Sequence, residues 1–312
     1  MSRAAATTIS ADVTNMSELA PLLKGKLLFN EPMSKHTSWR VGGVADYYFK
    51  PKDINDLAVF LKNREKYIPL YWVGLGSNLL VRDGGIRGAV IMTSGMLSEI
   101  SIIEENVLRV EAGVACPKVA RFSAKNDLTG VEFLSGIPGT VGGALKMNAG
   151  AFGAETWDKV ESVETIDSTG TLHIRMPEEF SVSYRQVIGL KNEWFVAARF
   201  KLVEGDAETA LADIKVLLEK RNATQPTNQP SCGSVFRNPP NDYAARLIES
   251  CGLKGKSIGG ACVSEKHANF IVNTGDATAA DIEQLIQLVG DTVEQQHGVK
   301  LMQEAHVIGD AL

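Results

Sequence analysis

The chain has 312 residues, of which 44% are hydrophobic and 22% are charged, as in a globular protein of two or three domains. Its net charge of -5 gives no electrostatic reason to expect nucleic acid or an anionic membrane as a partner. The four cysteines form no CxxC pair and the five histidines no cluster, so we expect free thiols and no metal site. No apolar run is long enough to span a bilayer, and we expect a cytoplasmic protein.

The first two thirds of the chain alternate short strands with helices. We expect residues 1–25 to be a disordered leader, rich in Ala and Thr, that ends in a short helix. Asp53 predicts a helix start, because an aspartate side chain accepts hydrogen bonds from the free N–H groups of a first turn. The predicted elements are a helix at 16–23, a strand at 44–50, a helix at 54–66, strands at 70–73 and 107–110, a helix at 117–125, and a hairpin of 160–167 with 171–176.

A change in composition near Gly205 predicts a domain boundary. A strongly helical stretch runs from Asp206 to Arg221, and a polar loop follows at 222–231. The tail adds two predicted helices, at 243–251 and 279–296, and Thr278 with Asp281 predicts a capping box at the start of the second.

A first glycine segment, Gly74-Leu75-Gly76-Ser77-Asn78-Leu79-Leu80, follows the predicted strand at 70–73. A dinucleotide fingerprint requires a third glycine where this chain has Leu79, so the segment argues against a Rossmann domain. Glycine still lets an anion approach the backbone closely, so a phosphate fits such a turn. Taken alone, the segment is explained as well by a plain strand-to-loop turn.

A second segment, Ser135-Gly136-Ile137-Pro138-Gly139-Thr140-Val141-Gly142-Gly143, has four glycines and one proline in nine residues. A helical turn at 144–147 follows it, and backbone N–H groups at a helix start favour a diphosphate. A tight loop without a ligand is the alternative. We favour a ligand, because so many glycines weaken a fold unless something approaches the backbone.

Gly255-Lys256-Ser257 resembles the end of a phosphate-binding P-loop. The full motif requires glycine where Ser250 stands, and it should follow a strand rather than the helix predicted at 243–251. We therefore reject a P-loop ATPase.

Three single residues are candidates for chemistry, but spacing alone does not decide their role. Ser234 lies in a constrained turn after Gly233 and is as readily a simple turn serine. Arg185 and Glu304 have apolar or small neighbours, and a lone charged residue is usually solvated at the surface.

At these segments the chain resembles the UDP-N-acetylenolpyruvoylglucosamine reductase family, from about His36 to Gly309. Many motifs recur in order, which makes the resemblance specific. They are His36-Thr37-Ser38-Trp39-Arg40-Val41-Gly42-Gly43, the two glycine segments with Asn148 to Gly153, Ser183-Tyr184-Arg185, Gly233 to Pro239, Gly252-Leu253-Lys254-Gly255, Ile258-Gly259-Gly260-Ala261, Lys266-His267-Ala268-Asn269-Phe270, and Glu304 with Ile308-Gly309.

The resemblance implies an α+β fold. It predicts an FAD-binding domain of the vanillyl-alcohol-oxidase (PCMH) type at 26–204, made of two subdomains split near residue 92. A C-terminal α/β substrate-binding domain is expected at 205–312. The implied activity is reduction of the enolpyruvyl group of UDP-N-acetylglucosamine enolpyruvate to UDP-N-acetylmuramate, a step of peptidoglycan and cell-wall synthesis that underlies cell shape and division.

The resemblance also implies the site. Hydride would pass from NADPH through FAD to C3 of the substrate, and Ser234 would give a proton to C2. Arg185 and Glu304 would stabilise the charge that develops. The implied substrate contacts are Tyr184, Asn238, Lys254 and His267. The substrate is a nucleotide sugar, and we expect no obligate protein partner. The implied FAD contacts are Gly74, Leu75, Gly76, Ser77, Asn78, Leu79, Ser135, Gly136, Pro138, Gly139, Gly142, Gly143, Asn148 and Gly150.

The chain departs from the family pattern at three points. No tyrosine lies between Arg185 and Ser234, so the chain resembles the short subtype without a tyrosine-bearing loop. Thr224 replaces a lysine often found in the loop before the serine, although Lys220 and Arg221 are near. His306 stands where the family often has arginine, so no role of that arginine carries over.

Two other functional classes remain open at the level of sequence. One is a flavin- or nucleotide-binding module without turnover, in which Ser234 and Glu304 are structural. The other is an oxidase of the same FAD fold acting on another substrate. The glycine segments fit all three classes, whereas the set of Arg185, Ser234 and Glu304 favours the reductase.

Overall fold

The computed structural model describes residues 15–312. Most of the leader expected to be disordered, residues 1–14, lies outside the described residues. The predicted short helix is present as α1 (Met16–Leu19), extended by one 3-10 turn at Ala20–Leu22. No described helix is both long and apolar enough to cross a membrane.

The first subdomain is a four-stranded mixed sheet with a helix packed on it. Its strands lie in the order β1-β2-β5-β3, with β1 and β2 antiparallel and the other pairs parallel. The elements are β1 (Lys26–Pro32), β2 (Val44–Lys50), α2 (Ile54–Asn63), β3 (Leu70–Val73), β4 (Leu79–Val81) and β5 (Ile86–Met92), and β4 pairs elsewhere.

Helix α2 begins where the sequence predicts and ends earlier. Asp53 Oδ1 accepts the N–H of Asp56 at 2.8 Å, as expected of an N-cap. Arg64 leaves the helix in an extended conformation, and its Nη1 donates to the carbonyls of Glu65, Lys66 and Ile68. These bonds stabilise a turn at the position where the periodicity predicted three more helical residues.

The second subdomain is built on a five-stranded antiparallel sheet in the order β12-β11-β15-β7-β6. The predicted hairpin of β11 with β12 is confirmed. The elements are β6 (Ile100–Glu104), β7 (Val107–Glu111), α3 (Cys116–Ala124), β8 (Leu128–Thr129), α4 (Val141–Met147), β9 (Gly150–Ala151), β10 (Ala154–Glu155), β11 (Val160–Asp167), β12 (Leu172–Arg175), β13 (Ser181–Ser183), β14 (Gln186–Ile188), β15 (Glu193–Lys201) and β16 (Val203–Glu204).

Helix α5 (Ala207–Thr224) packs with this second subdomain. Asp206 caps it, and its buried residues, Ala210 and Ile214, join the hydrophobic core formed by α3, α4 and the five-stranded sheet. On packing, we therefore propose that the boundary of the C-terminal domain lies after Thr224 rather than near Gly205.

The C-terminal unit is a three-stranded antiparallel sheet with two helices. Its capping agrees with the sequence: Thr278 and Asp281 form a reciprocal capping box at the start of the last helix. The elements are α6 (Ala244–Ser250), β17 (Ser257–Ile258), β18 (Ala261–Val263), β19 (Ile271–Asn273), α7 (Ala279–His297) and β20 (His306–Ile308). The mixed helix and strand content confirms the predicted α+β class.

Several contacts join the C-terminal unit to the first subdomain. The fully buried Trp39 lies in the C-terminal core, and its Nε1 donates to the carbonyl of Ile271 at 2.8 Å. Asp83 accepts the N–H groups of Ala279 and Ala280 at the start of α7, each at 3.0 Å. The last strand, β20, pairs in parallel with β4. These contacts fix the C-terminal unit against the glycine turn that precedes β4.

Candidate functional site

A cavity of about 960 Å³ lies where the two subdomains and the C-terminal unit meet. All three parts contribute to its wall, and both glycine segments lie along it. A cavity of this size accommodates a large cofactor or a nucleotide-sized ligand.

The first glycine segment forms the turn from β3 to β4, and its six predicted contacts, 74–79, all line the cavity. Glycine is required here for two reasons. Gly76 has φ +66°, and a Cβ on it would stand 2.0 Å from the carbonyl oxygen of His36. A Cβ on Gly74 would stand 2.3 Å from Oγ1 of Thr140 in the second segment. The two segments therefore touch, and larger residues would push them apart.

The second segment contributes most of its predicted contacts as well: Gly136, Pro138, Gly139, Gly142 and Gly143 line the cavity, as does Gly150. Ser135 and Asn148 are instead buried behind the wall. Asn148, in the left-handed region, accepts the N–H of Trp157 at 3.2 Å and donates to Glu155 at 2.7 Å. Their role as direct cofactor contacts stays a prediction.

Thr140 carries the clearest sign that an anion fits between the two glycine segments. It lines the cavity, it is 1% exposed, and its Oγ1 has no hydrogen-bond partner among residues 15–312. A buried hydroxyl without a partner is costly, and most such groups in native proteins are satisfied. An oxygen-rich anion held between the two glycine segments would supply the partner, which fits the FAD diphosphate that the sequence predicts here.

Arg185 is held rigidly at the cavity wall despite an unfavourable backbone. Its φ is +56°, a region that side-chain-bearing residues rarely adopt. Its guanidinium donates to Glu304 Oε1 at 3.1 Å, to the carbonyl of Asn148 at 3.3 Å and to that of Gly150 at 3.0 Å. It also lies over the ring of Tyr184, 4.9 Å from the centroid. Three of the five N–H groups are thus used, and two remain for an anion in the cavity.

Glu304 lies opposite Arg185 on the segment before β20. Its N–H donates to the carbonyl of Val235 at 2.7 Å, and its side chain is 12% exposed. Burial raises the pKa of this carboxyl, although the positive charges of Arg185 and Arg237 oppose the shift. The neutral acid therefore persists to higher pH than for a solvated glutamate.

Ser234 lines the same cavity from the C-terminal unit. Gly233, at φ +84°, forms the turn that precedes it. The next residue, Val235, donates its N–H to Asn269 and accepts that of Glu304, so the serine turn and the glutamate segment are joined. The Ser234 hydroxyl makes no hydrogen bond with a described residue, which leaves it free to meet a ligand.

Two of the four predicted substrate contacts line the cavity, and the other two do not. Tyr184 and Asn238 line the cavity, and Asn238 also accepts the N–H of Ala244 at the start of α6. Lys254 pairs with Glu249 at 2.7 Å, and neither Lys254 nor His267 lines the cavity. The His267 ring packs edge-on against Phe270, which does line it, and burial lowers the pKa of His267. Their substrate roles stay predictions.

Sequence reasoning missed several cavity residues. Thr140 and Lys146 line it and were not among the predicted contacts. For Thr140 the available signal was its helical spacing with Gly143 and Met147, and Lys146 stands outside that spacing. Lys220, Arg221 and His306 also line the wall; these three positions were noted in the sequence and assigned no role.

No group of three or more His, Cys, Asp or Glu side chains suited to a metal ion occurs within residues 15–312.

Two family models match the chain. Residues 45–174 match an FAD binding domain, and residues 225–308 match the C-terminal domain of UDP-N-acetylenolpyruvoylglucosamine reductase. The second match begins directly after α5, where packing also suggests the boundary.

Curated relatives and a solved structure give the same result over nearly the whole chain. The UDP-N-acetylenolpyruvoylglucosamine reductase of Legionella pneumophila (strain Corby) is 58% identical over 289 residues, covering 92% of this chain and 94% of the relative. That of Methylococcus capsulatus is 56% identical over 288 residues, covering 92% and 95%. The crystal structure of the Thermus caldophilus enzyme of this name is 32% identical, with a TM-score of 0.78, and covers 92% of this chain and 100% of that one.

We predict that Thr140→Val weakens FAD binding without destabilising the protein. The variant removes a hydroxyl that has no hydrogen-bond partner in the described part of the chain, and it keeps the shape of the side chain. Losing a hydrogen bond to a charged phosphate costs about 1.5 to 3 kcal/mol, which is roughly 10- to 150-fold in Kd. FAD titration followed by flavin fluorescence measures the change.

Thr156→Val is the matched control, because the equally buried Thr156 hydroxyl donates to the carbonyl of Ala149 at 2.6 Å. It should lower the free energy of unfolding by about 1 to 3 kcal/mol while the folded protein binds FAD normally. Unchanged FAD affinity in Thr140→Val, or a stability loss equal to that of Thr156→Val, would contradict the phosphate assignment.

Proposed function

Because the chain belongs to the UDP-N-acetylenolpyruvoylglucosamine reductase family, we propose that it uses NADPH and FAD to reduce UDP-N-acetylglucosamine enolpyruvate to UDP-N-acetylmuramate. The product is a peptidoglycan precursor, and we place the reaction in the cytoplasm. One observation carries the assignment beyond cofactor binding: Arg185, Ser234 and Glu304, from distant parts of the chain, line one cavity together with both glycine segments.

The substrate carries an alkene conjugated to a carboxylate. When bound along the two glycine segments, FAD would supply the redox chemistry, by which reducing equivalents of NADPH would reach C3 of the alkene as a hydride. Negative charge then develops at C2 and spreads onto the carboxylate, so the site requires donors that are already in place.

Arg185 meets this requirement, because its orientation is fixed before any ligand binds. Its bonds to Glu304, Asn148 and Gly150 leave two N–H groups for the substrate carboxylate. No reorganisation is needed when the charge appears, which is the condition for strong electrostatic stabilisation.

Glu304 assists only in its neutral form. A bare carboxylate would repel the developing charge on the substrate, whereas a protonated one donates a hydrogen bond to it. The raised pKa of Glu304 supports the neutral form in the buried site.

Ser234 then gives its hydroxyl proton to C2, which completes the saturated product. A serine is a weak acid in water, but C2 carries the developing negative charge and is a strongly basic carbon. Its hydroxyl is not engaged by another described residue, which supports this role. A binding module without turnover would not require these three residues to meet.

We predict that Ser234→Ala impairs only the half-reaction that reduces the substrate. Oxidation of reduced flavin by the enolpyruvyl nucleotide sugar should slow by roughly 10²- to 10⁴-fold, the usual contribution of a positioned acid, or about 3 to 5 kcal/mol of barrier. Flavin reduction by NADPH should be unchanged, because no proton reaches C2 in that half. Ser234→Cys should retain part of the rate. Stopped-flow flavin absorbance measures each half separately.

The control is Ser257→Ala, which removes an exposed serine hydroxyl outside the cavity and should alter neither half-reaction. If the substrate reoxidises the flavin of Ser234→Ala at a rate within a few-fold of the wild-type rate, Ser234 is a turn residue and the proton comes from elsewhere.

We also predict a pH dependence that belongs to Glu304. The neutral form predominates below the raised pKa, so substrate reduction should be constant at low pH and fall as pH rises through that pKa. Glu304→Gln keeps a donor that does not titrate, and this decline should vanish in it. Stopped-flow rates of both half-reactions across pH test this, with Glu178→Gln, an exposed site, as control. A decline that persists unchanged in Glu304→Gln would assign the titration to another group.

A further inference from the structure

The backbone of Glu304 is held from two sides by hydrogen bonds that no catalytic role yet explains. On one side its N–H donates to the carbonyl of Val235 at 2.7 Å, next to Ser234. On the other side its carbonyl accepts Nδ2 of Asn78 at 3.0 Å. Hydrogen bonds therefore link the backbone of Glu304 both to the turn that carries Ser234 and to the first glycine segment.

Asn78 makes a second contact to the same segment. The main-chain carbonyl of Asn78 accepts the N–H of His306 at 3.0 Å. Asn78 directly precedes Leu79, which pairs with His306 at the start of the β4–β20 ladder. Its side-chain amide also lies 3.7 Å from the sulfur of Met147 in α4. One residue thus binds both positions that flank Ala305.

The ladder alone does not orient Glu304. It begins at His306, two residues after the glutamate. Two other bonds hold the peptide group between Glu304 and Ala305: the Ala305 N–H donates to the carbonyl of Val235 at 3.3 Å, and the Glu304 carbonyl accepts Nδ2 of Asn78 at 3.0 Å. Without the Asn78 bond, the Glu304 backbone would be held on the Val235 side alone, and a shift of that backbone would disturb the contact of the carboxyl with Arg185 Nε, now 3.1 Å long. The side-chain amide of Asn78 is the group that holds this backbone from the side of the glycine turn.

We propose that Asn78 is a positioning residue for substrate reduction, which it supports by holding the Glu304 carbonyl so that the carboxyl meets Arg185. The inference rests on the proposed function. It also gives the first glycine segment a second role, because the turn that binds the cofactor then sets the geometry of the acid that acts on the substrate.

A double-mutant cycle tests the proposal, since residues that act through one another are not additive. The variants are Asn78→Ala, Glu304→Gln and the double variant, each assayed at saturating FAD by stopped flow. Asn78→Ala alone should slow flavin reoxidation by the enolpyruvyl substrate by roughly 10- to 100-fold, as expected of an unaligned catalytic group. Added to Glu304→Gln, it should cost less than about 3-fold.

Two further measurements separate positioning from a structural or cofactor role. In Asn78→Ala at saturating FAD, substrate reduction should fall at least about 3-fold more than flavin reduction by NADPH, and the pH at which substrate reduction declines should change. Asn78→Asp, which puts a carboxylate oxygen against the Glu304 carbonyl, should be at least as impaired. Asn126→Ala removes a similar side-chain amide bond, to Phe122 O at 2.8 Å on the exposed end of α3, and should change nothing.

The outcomes are distinct. Wild-type protein that never reduces the enolpyruvyl substrate refutes the proposed function itself. Turnover in the wild type with additive losses, or with equal damage to both half-reactions, overturns the role of Asn78 and leaves the reductase assignment standing. If Asn78→Ala fails to fold, Asn78→Asp in the same cycle decides between the two results.

Discussion

The parallel pairing of β20 with β4 is the contact on which the site depends. It matches His306 with Leu79, Val307 with Leu80 and Ile308 with Val81, residues that are far apart in the sequence. Leu80 and Val81 are fully buried, so the ladder is anchored by apolar packing as well as by backbone bonds. The ladder thus brings the segment that carries Glu304 beside the glycine turn.

The site keeps conformations that a purely structural protein would avoid. Arg185 and Asn148 both adopt the left-handed region, which costs on the order of 1 to 3 kcal/mol for a residue held there. Thr140 adds a buried hydroxyl without a partner among the described residues. The three lie in or directly behind the cavity wall, and the first two are joined, because the Arg185 guanidinium donates to the Asn148 carbonyl. A strained backbone at a residue that lines a cavity, as at Arg185, is expected of a preorganised binding site.

Local signals in the sequence predicted most of the fold. Asp53, Asp206 and Thr278 cap the helices that follow them, because capping depends on residues only three positions away. The packing of α5 was not predictable in the same way. Only Ala210 and Ile214 on it are buried, so its sequence shows no clear apolar face to indicate which core it joins.

The site was predictable to the extent that glycine and proline constrain the backbone locally. The glycine segments could be located from composition, whereas the roles of Arg185, Ser234 and Glu304 came from family resemblance. Spacing alone could not bring these three together, because the contacts that do so run between distant strands. The same limit applies to Asn78, whose side chain bonds across the β4–β20 junction to Glu304.

The most direct test of the proposed reaction is an anaerobic two-step titration of the wild-type protein. NADPH is added first, then the enolpyruvyl nucleotide sugar, while flavin absorbance is recorded. We expect NADPH to bleach the bound flavin without substrate present, and one equivalent of the nucleotide sugar to restore the absorbance and become reduced. Flavin that NADPH does not bleach, or bleached flavin that the nucleotide sugar fails to reoxidise, would contradict the proposed reaction.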